Sequence, residues 1–323
     1  MAEMTGLVHL TGEIASLQAP PLLFLPDDRT ARRFWEFFTA NIPNPNTRRA
    51  YFGAAARFSA WCLTHRLADL PAIQPIHVAA WLQELGLRRS RPTVKQHLAA
   101  IRMLFDWLIV GQIVPLNPAA SVRGPKHSVK RGKTPVLSSD EMRDLLDSIE
   151  TETLLGLRDR ALIGLMGYTF ARVGAALAMR VKDYYVQGRR GWIRLHEKGG
   201  KVHEMPAHHR LEEFLDRYLE RAGLAADPNG PLFRPWRNGA LANRPLDQSN
   251  VHNMIRRRAR LAGIETRIGC HSFRATGITN YLKNGGRLEV AQQMAGHESS
   301  RTTGLYDRRG DEISLDEIER ISY

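Results

Sequence analysis

Residues 157–205 read LRDRALIGLMGYTFARVGAALAMRVKDYYVQGRRGWIRLHEKGGKVHEM, and two periodicities meet inside them. The first half is apolar at helical spacing, which predicts helices over 157–167 and 172–180. The second half holds three short runs, Tyr184–Val186, Trp192–His196 and Val202–Met205, with the alternation and composition of strands. Gly199-Gly200 lies between the last two runs and predicts a hairpin turn. The expected domain is mainly helical, with one small β-sheet.

Working outward, the chain from Leu211 onward reads as mainly helical. Upstream, Ser138-Ser139-Asp140-Glu141 predicts a capped helix through Met142, Leu145 and Leu146, so this domain is expected to span 134–323. Residues 123–133 precede it as a linker with Gly124, Pro125 and Gly132 as breakers. No Asp or Glu occurs between Trp107 and Ser139, whereas Arg123, Lys126, Lys130, Arg131 and Lys133 are all basic. Such a linker is either solvated or laid along a polyanion, and its uniform sign favours the second. Over 27–122 the apolar spacing is again helical, with Asn46-Thr47 as a plausible N-cap. Trp35, Trp61, Trp81 and Trp107 fall here and read as core, which predicts a separate all-helical domain. Residues 1–26, broken by Pro20, Pro21 and Pro26, read as a loose arm.

Composition narrows the function. The 323 residues are 43% hydrophobic and 24% charged, which is ordinary for a globular chain. The net charge of +13 is not ordinary, and it calls for nucleic acid or an anionic membrane as partner. The first 25 residues hold no Lys or Arg, so no secretory n-region is read there. The most apolar stretch, 161–179, is interrupted by Arg172 and makes a poor membrane span. Cys62 and Cys270 alone give no disulfide framework and suit a reducing cytoplasm. Nucleic acid is the expected partner.

Several residues look chemical rather than structural. Arg172 is the lone charge between Ala161 and Met179, and a guanidinium in apolar company needs an anion. Either a carboxylate or a phosphate answers that need, and the planar fork of arginine favours phosphate. His271 and Arg274 stand three apart, so a helix would turn both to one ligand. No second Cys or His lies at ligand spacing from Cys270 and His271, so no metal site is expected. Gly296-His297 precedes Thr302-Thr303-Gly304-Leu305-Tyr306 near the end of the chain. Alone, Tyr306 reads as a core or surface tyrosine; its basic company shifts the weight.

Taken together these boxes resemble the tyrosine recombinases, the lambda-integrase-like phage integrase family. Arg158-Asp159-Arg160 leading to Arg172 resembles the family's first box, and His271-Ser272-Phe273-Arg274 its second. Ala295-Gly296-His297 with Tyr306 nine residues on resembles its ending, and Glu197-Lys198-Gly199-Gly200-Lys201 its lysine hairpin. Asn46-Thr47-Arg48-Arg49-Ala50-Tyr51 and Asn117-Pro118-Ala119 resemble its helical DNA-binding domain. The resemblance covers roughly 30–310 in order. It implies a two-domain, C-shaped clamp on double-stranded DNA that breaks and rejoins strands through a 3′-phosphotyrosyl bond, without cofactor or metal. Tyr306 would be the nucleophile, Arg172 and Arg274 the phosphate clamp, and Lys198 the general acid. His271 would assist proton transfer, and His297 would hydrogen-bond the phosphate. Arg48, Arg49, Arg91, Lys95, Arg123, Lys126, Lys130, Arg131 and Lys201 are the expected DNA contacts.

Two positions depart from the family pattern: Ala175 stands where an acid is usual, and Ala275 where a histidine often follows the second arginine. After Tyr306 the charge reverses, with Asp311, Glu312, Asp316, Glu317 and Glu319 against Arg320. Ser314-Leu315-Asp316-Glu317 predicts a short acidic helix. By the resemblance it would dock on a neighbouring protomer of a homotetramer on paired sites; packing on its own domain is the alternative. The rival functions are a type IB topoisomerase, which relaxes DNA by the same chemistry, and a catalytically inactive DNA-binding protein.

Overall fold

The computed structural model describes residues 21–127, 132–197 and 200–307. They form two compact units that part between residues 127 and 132.

The first unit is all-helical: α1 (Asp28–Glu36), a π-turn (Phe37–Asn41), α2 (Pro45–Thr64), α3 (Pro75–Arg88) and α4 (Arg91–Val110). Three of these helices carry proline in the first turn, where its missing N–H costs no hydrogen bond. The cap of α2 is Asn44, whose side chain accepts from the backbone N–H groups of Asn46 and Thr47. The cap therefore lies two residues before the expected Asn46, because Pro45 supplies the first helical φ. Phe34, Phe38, Phe58, Trp81, Ile101, Leu104 and Phe105 share one core. One expectation needs correction. The end of the supposed arm is not loose: a single 3-10 turn, Leu22–Phe24, buries Leu23 and Phe24, and Phe24 stacks on Phe34 at 4.8 Å. Pro21 starts that turn rather than breaking the chain. Residues 1–20 lie outside the described residues.

The second unit holds α5 (Ser139–Asp147), α6 (Leu154–Tyr168), α7 (Val173–Ala178) and an antiparallel sheet. The sheet order is β1 (Tyr184–Gln187), β2 (Arg190–His196), β3 (Val202–Pro206). Ile193 pairs with Tyr184 on one side and Met205 on the other, which buries Ile193 and Leu195 against the helices. Then come α8 (His209–Ala222), β4 (Trp236–Arg237), β5 (Ala240–Leu241), α9 (Gln248–Leu261), α10 (Cys270–Lys283), α11 (Leu288–Met294) and α12 (Ser300–Gly304). The mainly helical class with a small sheet holds. The β4–β5 hairpin was not expected, since the chain from Leu211 onward reads as mainly helical. Its turn, Asn238-Gly239, has both φ angles positive (50° and 82°), the geometry this dipeptide favours in tight hairpins.

Two features aim this unit's helices. A Cβ at Gly277 would lie 2.2 Å from the Gly167 carbonyl oxygen, so glycine there lets α10 pack directly on α6. Asp159, fully buried on α6, accepts from Arg158 at 2.7 Å and Arg258 at 2.9 Å, which joins α6 to α9. The acid and both guanidiniums satisfy one another away from water, as buried charges require. Among the described residues, no helix is long and apolar enough to cross a membrane.

Candidate active site

Four chain segments bring their polar side chains together in the second unit. Helix α6 ends at Tyr168, and Phe170 turns the chain with φ of 56°, a conformation rare for a bulky side chain. That turn makes Arg172 the N-cap of α7. Its head is therefore not embedded, as its apolar sequence neighbours suggested, but 40% exposed, and its Nη1 donates to Glu197 at 2.6 Å.

The buried guanidinium is Arg274, at 1% exposure. From the second turn of α10 it donates to the carbonyls of Phe170 and Ala295, which locks its plane. Its Nε is buried with no partner, an orphan donor of the kind that awaits a ligand acceptor. Burial, and then the neighbouring Arg172 charge, lower its pKa to about 10, so it stays cationic at neutral pH.

His271, one turn earlier on α10, places Nε2 2.7 Å from the Tyr306 hydroxyl. Desolvation and the charges of Arg274 and Arg172 lower its pKa, so the imidazole is neutral at pH 7 and free to accept a proton. Gly296 closes α11 with φ of 57°. Its N–H bonds the Gln293 carbonyl and the His297 N–H bonds the Gln292 carbonyl, a Schellman cap. This is the structural reason for glycine before His297. The His297 ring stacks on Tyr306, with centroids 5.9 Å apart at 7°, and Nδ1 bonds Thr303 Oγ1 at 2.9 Å. Burial and the two arginine charges push its pKa down to about 4. Tyr306 follows α12, is 8% exposed, and its carbonyl accepts from Thr279 at 3.0 Å.

The phage integrase family profile matches residues 135–312, and the phage integrase N-terminal SAM-like domain matches 33–111. The chain belongs to the phage integrase family of tyrosine recombinases. The tyrosine recombinase XerD of Chlorobaculum tepidum is 30% identical over 81% of this chain and 85% of its own. The tyrosine recombinase XerC of Vibrio atlanticus is 27% identical over 88% and 91%. In fold, the chain is similar to the XerH site-specific recombinase in its post-cleavage complex with palindromic difH substrate. That likeness has a TM-score of 0.69 and 19% identity, and covers 95% of this chain and 91% of the other.

Of the recombinase's expected site residues, Arg172, His271, Arg274, His297 and Tyr306 are thus gathered in one place. Lys198 lies outside the described residues, as do Lys130 and Arg131. Lys201 is exposed and pairs with Glu298 at 2.8 Å, beside His297. In the first unit Arg49, Arg91, Lys95, Arg123 and Lys126 are exposed, and Arg91, Arg123 and Arg89 line one cleft of about 370 Å³. Arg48 is half-buried and donates to the Ile42 carbonyl from Nε and Nη2. Sequence reading did not single out Arg89, Thr303 or Glu197. Arg89 was legible as a charge between Arg88 and Arg91; Glu197 opens the lysine hairpin and Thr303 lies three residues before Tyr306, but neither has a partner legible from local sequence.

Proposed function

We propose that the recombinase cuts and rejoins double-stranded DNA at specific sites through Tyr306, in integration, excision or resolution. The observation that carries this reading is the Tyr306 hydroxyl, 2.7 Å from a neutral His271 and beside the buried, ligand-seeking Arg274. Tyr306 Oη attacks the scissile phosphorus and passes its proton to His271 Nε2. Arg172, Arg274 and His297 hold the non-bridging oxygens as charge builds on them. The bond from phosphorus to the 5′ oxygen breaks, Lys198 protonates that oxygen, and the 3′ phosphate remains esterified to Tyr306. A 5′ hydroxyl from another strand reverses the sequence, so the broken bond's energy is conserved. The test is a nicked duplex that, on cleavage, loses the short fragment bearing the new 5′ hydroxyl. A denaturing gel is expected to show protein-linked DNA, and peptide mapping to place the link at Tyr306; free cut ends without a protein link would overturn the reading.

The supporting domain assignment is a helical DNA-binding domain over 27–122, a basic linker over 123–133 and a catalytic domain over 134–323. Arg48, Arg49, Arg91, Lys95, Arg123, Lys126, Lys130, Arg131 and Lys201 contact backbone phosphates in this reading. Arg48 also serves the start of α2 through the Ile42 carbonyl. The acidic tail after 310 joins neighbouring protomers of a tetramer on paired sites. Removing residues 311–323 is therefore expected to leave the affinity for a single site within about twofold while lowering the yield of recombinant product at least roughly tenfold. An unchanged yield after truncation would assign the tail to its own domain.

A further inference from the structure

Glu197 has a partner that the reaction also needs. It sits where β2 leaves the sheet, its N–H donates to the Lys201 carbonyl at 2.7 Å, and its carboxylate is only 8% exposed. That carboxylate accepts from Arg172 Nη1 at 2.6 Å, and it is the only hydrogen-bond partner of the Arg172 side chain among the described residues. Its aliphatic stem runs within 4 Å of the place a Cβ would take on Gly296, the cap residue before His297. A nearly buried carboxylate in a basic protein is retained only where a cation meets it. Here that cation is one half of the phosphate clamp.

We propose that Glu197 is a positioning residue for Arg172, fixing the guanidinium plane so that its remaining donors face the scissile phosphate. This rests on the reading of Arg172 as a phosphate ligand. The physical need is clear. Arg172 rises from an N-cap position, is 40% exposed, and has no backbone carbonyl lock of the kind that holds Arg274. Position 175, one turn along α7, is a buried alanine and offers no acceptor. The bond to Nη1 consumes one edge of the fork and leaves Nε and Nη2 for an anion. Glu197 also offsets the repulsion between Arg172 and Arg274 before DNA arrives: of the two, Arg172 lowers the Arg274 pKa and Glu197 raises it.

The test compares single-turnover cleavage by wild type, Glu197→Gln, Glu197→Asp and Arg172→Ala on two substrates. One carries the natural scissile phosphate, the other a neutral methylphosphonate that needs less cationic stabilisation. Glu197→Gln keeps size but loses charge, and is expected to bind DNA normally and cleave the phosphate about tenfold more slowly. On the methylphosphonate its deficit relative to wild type should shrink to about twofold, as should the larger deficit of Arg172→Ala, and Glu197→Asp should fall between Gln and wild type. Because the ratio of two substrates is taken within one protein, a partly destabilised variant still gives the answer. An equal deficit on both substrates, or Glu197→Gln cleaving as fast as or faster than wild type, would overturn the positioning role. A normal rate for Arg172→Ala on the phosphate would instead overturn the clamp reading itself.

Discussion

Tyr306→Phe is expected to bind its DNA site with wild-type affinity and to form no covalent adduct at all. The substitution removes one oxygen, and in the proposed mechanism that oxygen is the attacking atom. What remains explains why the protein should still fold. The Tyr306 ring packs with Phe170, Ala275 and Ala291 in a small apolar cluster, and its stack on His297 involves only the ring. The Thr279 hydroxyl bonds the backbone carbonyl of residue 306, which phenylalanine keeps. The hydrogen bond to His271 Nε2 is lost, together with the hydroxyl's contact with Arg274. Each costs on the order of 1 kcal/mol, too little to unfold a domain. The measurements are an affinity titration and a denaturing gel on the nicked duplex. A protein-linked DNA band from Tyr306→Phe would move the nucleophile to another residue.

The site was legible in the sequence to an uneven degree, and the reasons are physical. His271 and Arg274 were readable as a pair because helical spacing alone puts both on one face of α10. Gly296 was readable as a motif letter, but its work as the left-handed residue of a Schellman cap needed the backbone. The environment of Arg172 was misjudged. Apolar neighbours on both sides suggested a buried head, whereas the helix breaks at Phe170 and turns Arg172 to the surface of the site. Burial belongs to Arg274, which the sequence does not distinguish from any other helical arginine. Partners far apart in the chain were not legible at all. The Arg172–Glu197 pair spans 25 residues and Arg274–Phe170 spans 104, and no local rule reaches that far. In the fold, periodicity gave the helices and the three-stranded sheet, while the two-residue strands β4 and β5 are too short to show alternation. Their turn, Asn238-Gly239, was the available clue.

Lys198→Ala is expected to lose cleavage by about 10²-fold or more on ordinary DNA and to regain it on a substrate with sulfur in place of the bridging 5′ oxygen. The segment between β2 and β3 holds two lysines, Lys198 and Lys201, and a lysine ammonium in general binds backbone phosphates as a point charge. Lys201 is 63% exposed and already paired with Glu298, so its loss should be mild. Lys198 follows Glu197, whose bond to Arg172 ties that end of the hairpin to the clamp. A general acid differs from a phosphate contact in one measurable respect. An alkoxide is a very poor leaving group until protonated, whereas a thiolate departs unaided because thiols ionise near pH ~8.5. Sulfur at the 5′ position therefore removes the need for the proton donor alone. Arg172→Ala should stay defective on that substrate, since its deficit lies in the non-bridging charge. Rates of adduct formation on the two substrates give the answer. If Lys198→Ala remains inactive with sulfur, or Lys201→Ala proves to be the rescued variant, Lys198 is not the proton donor.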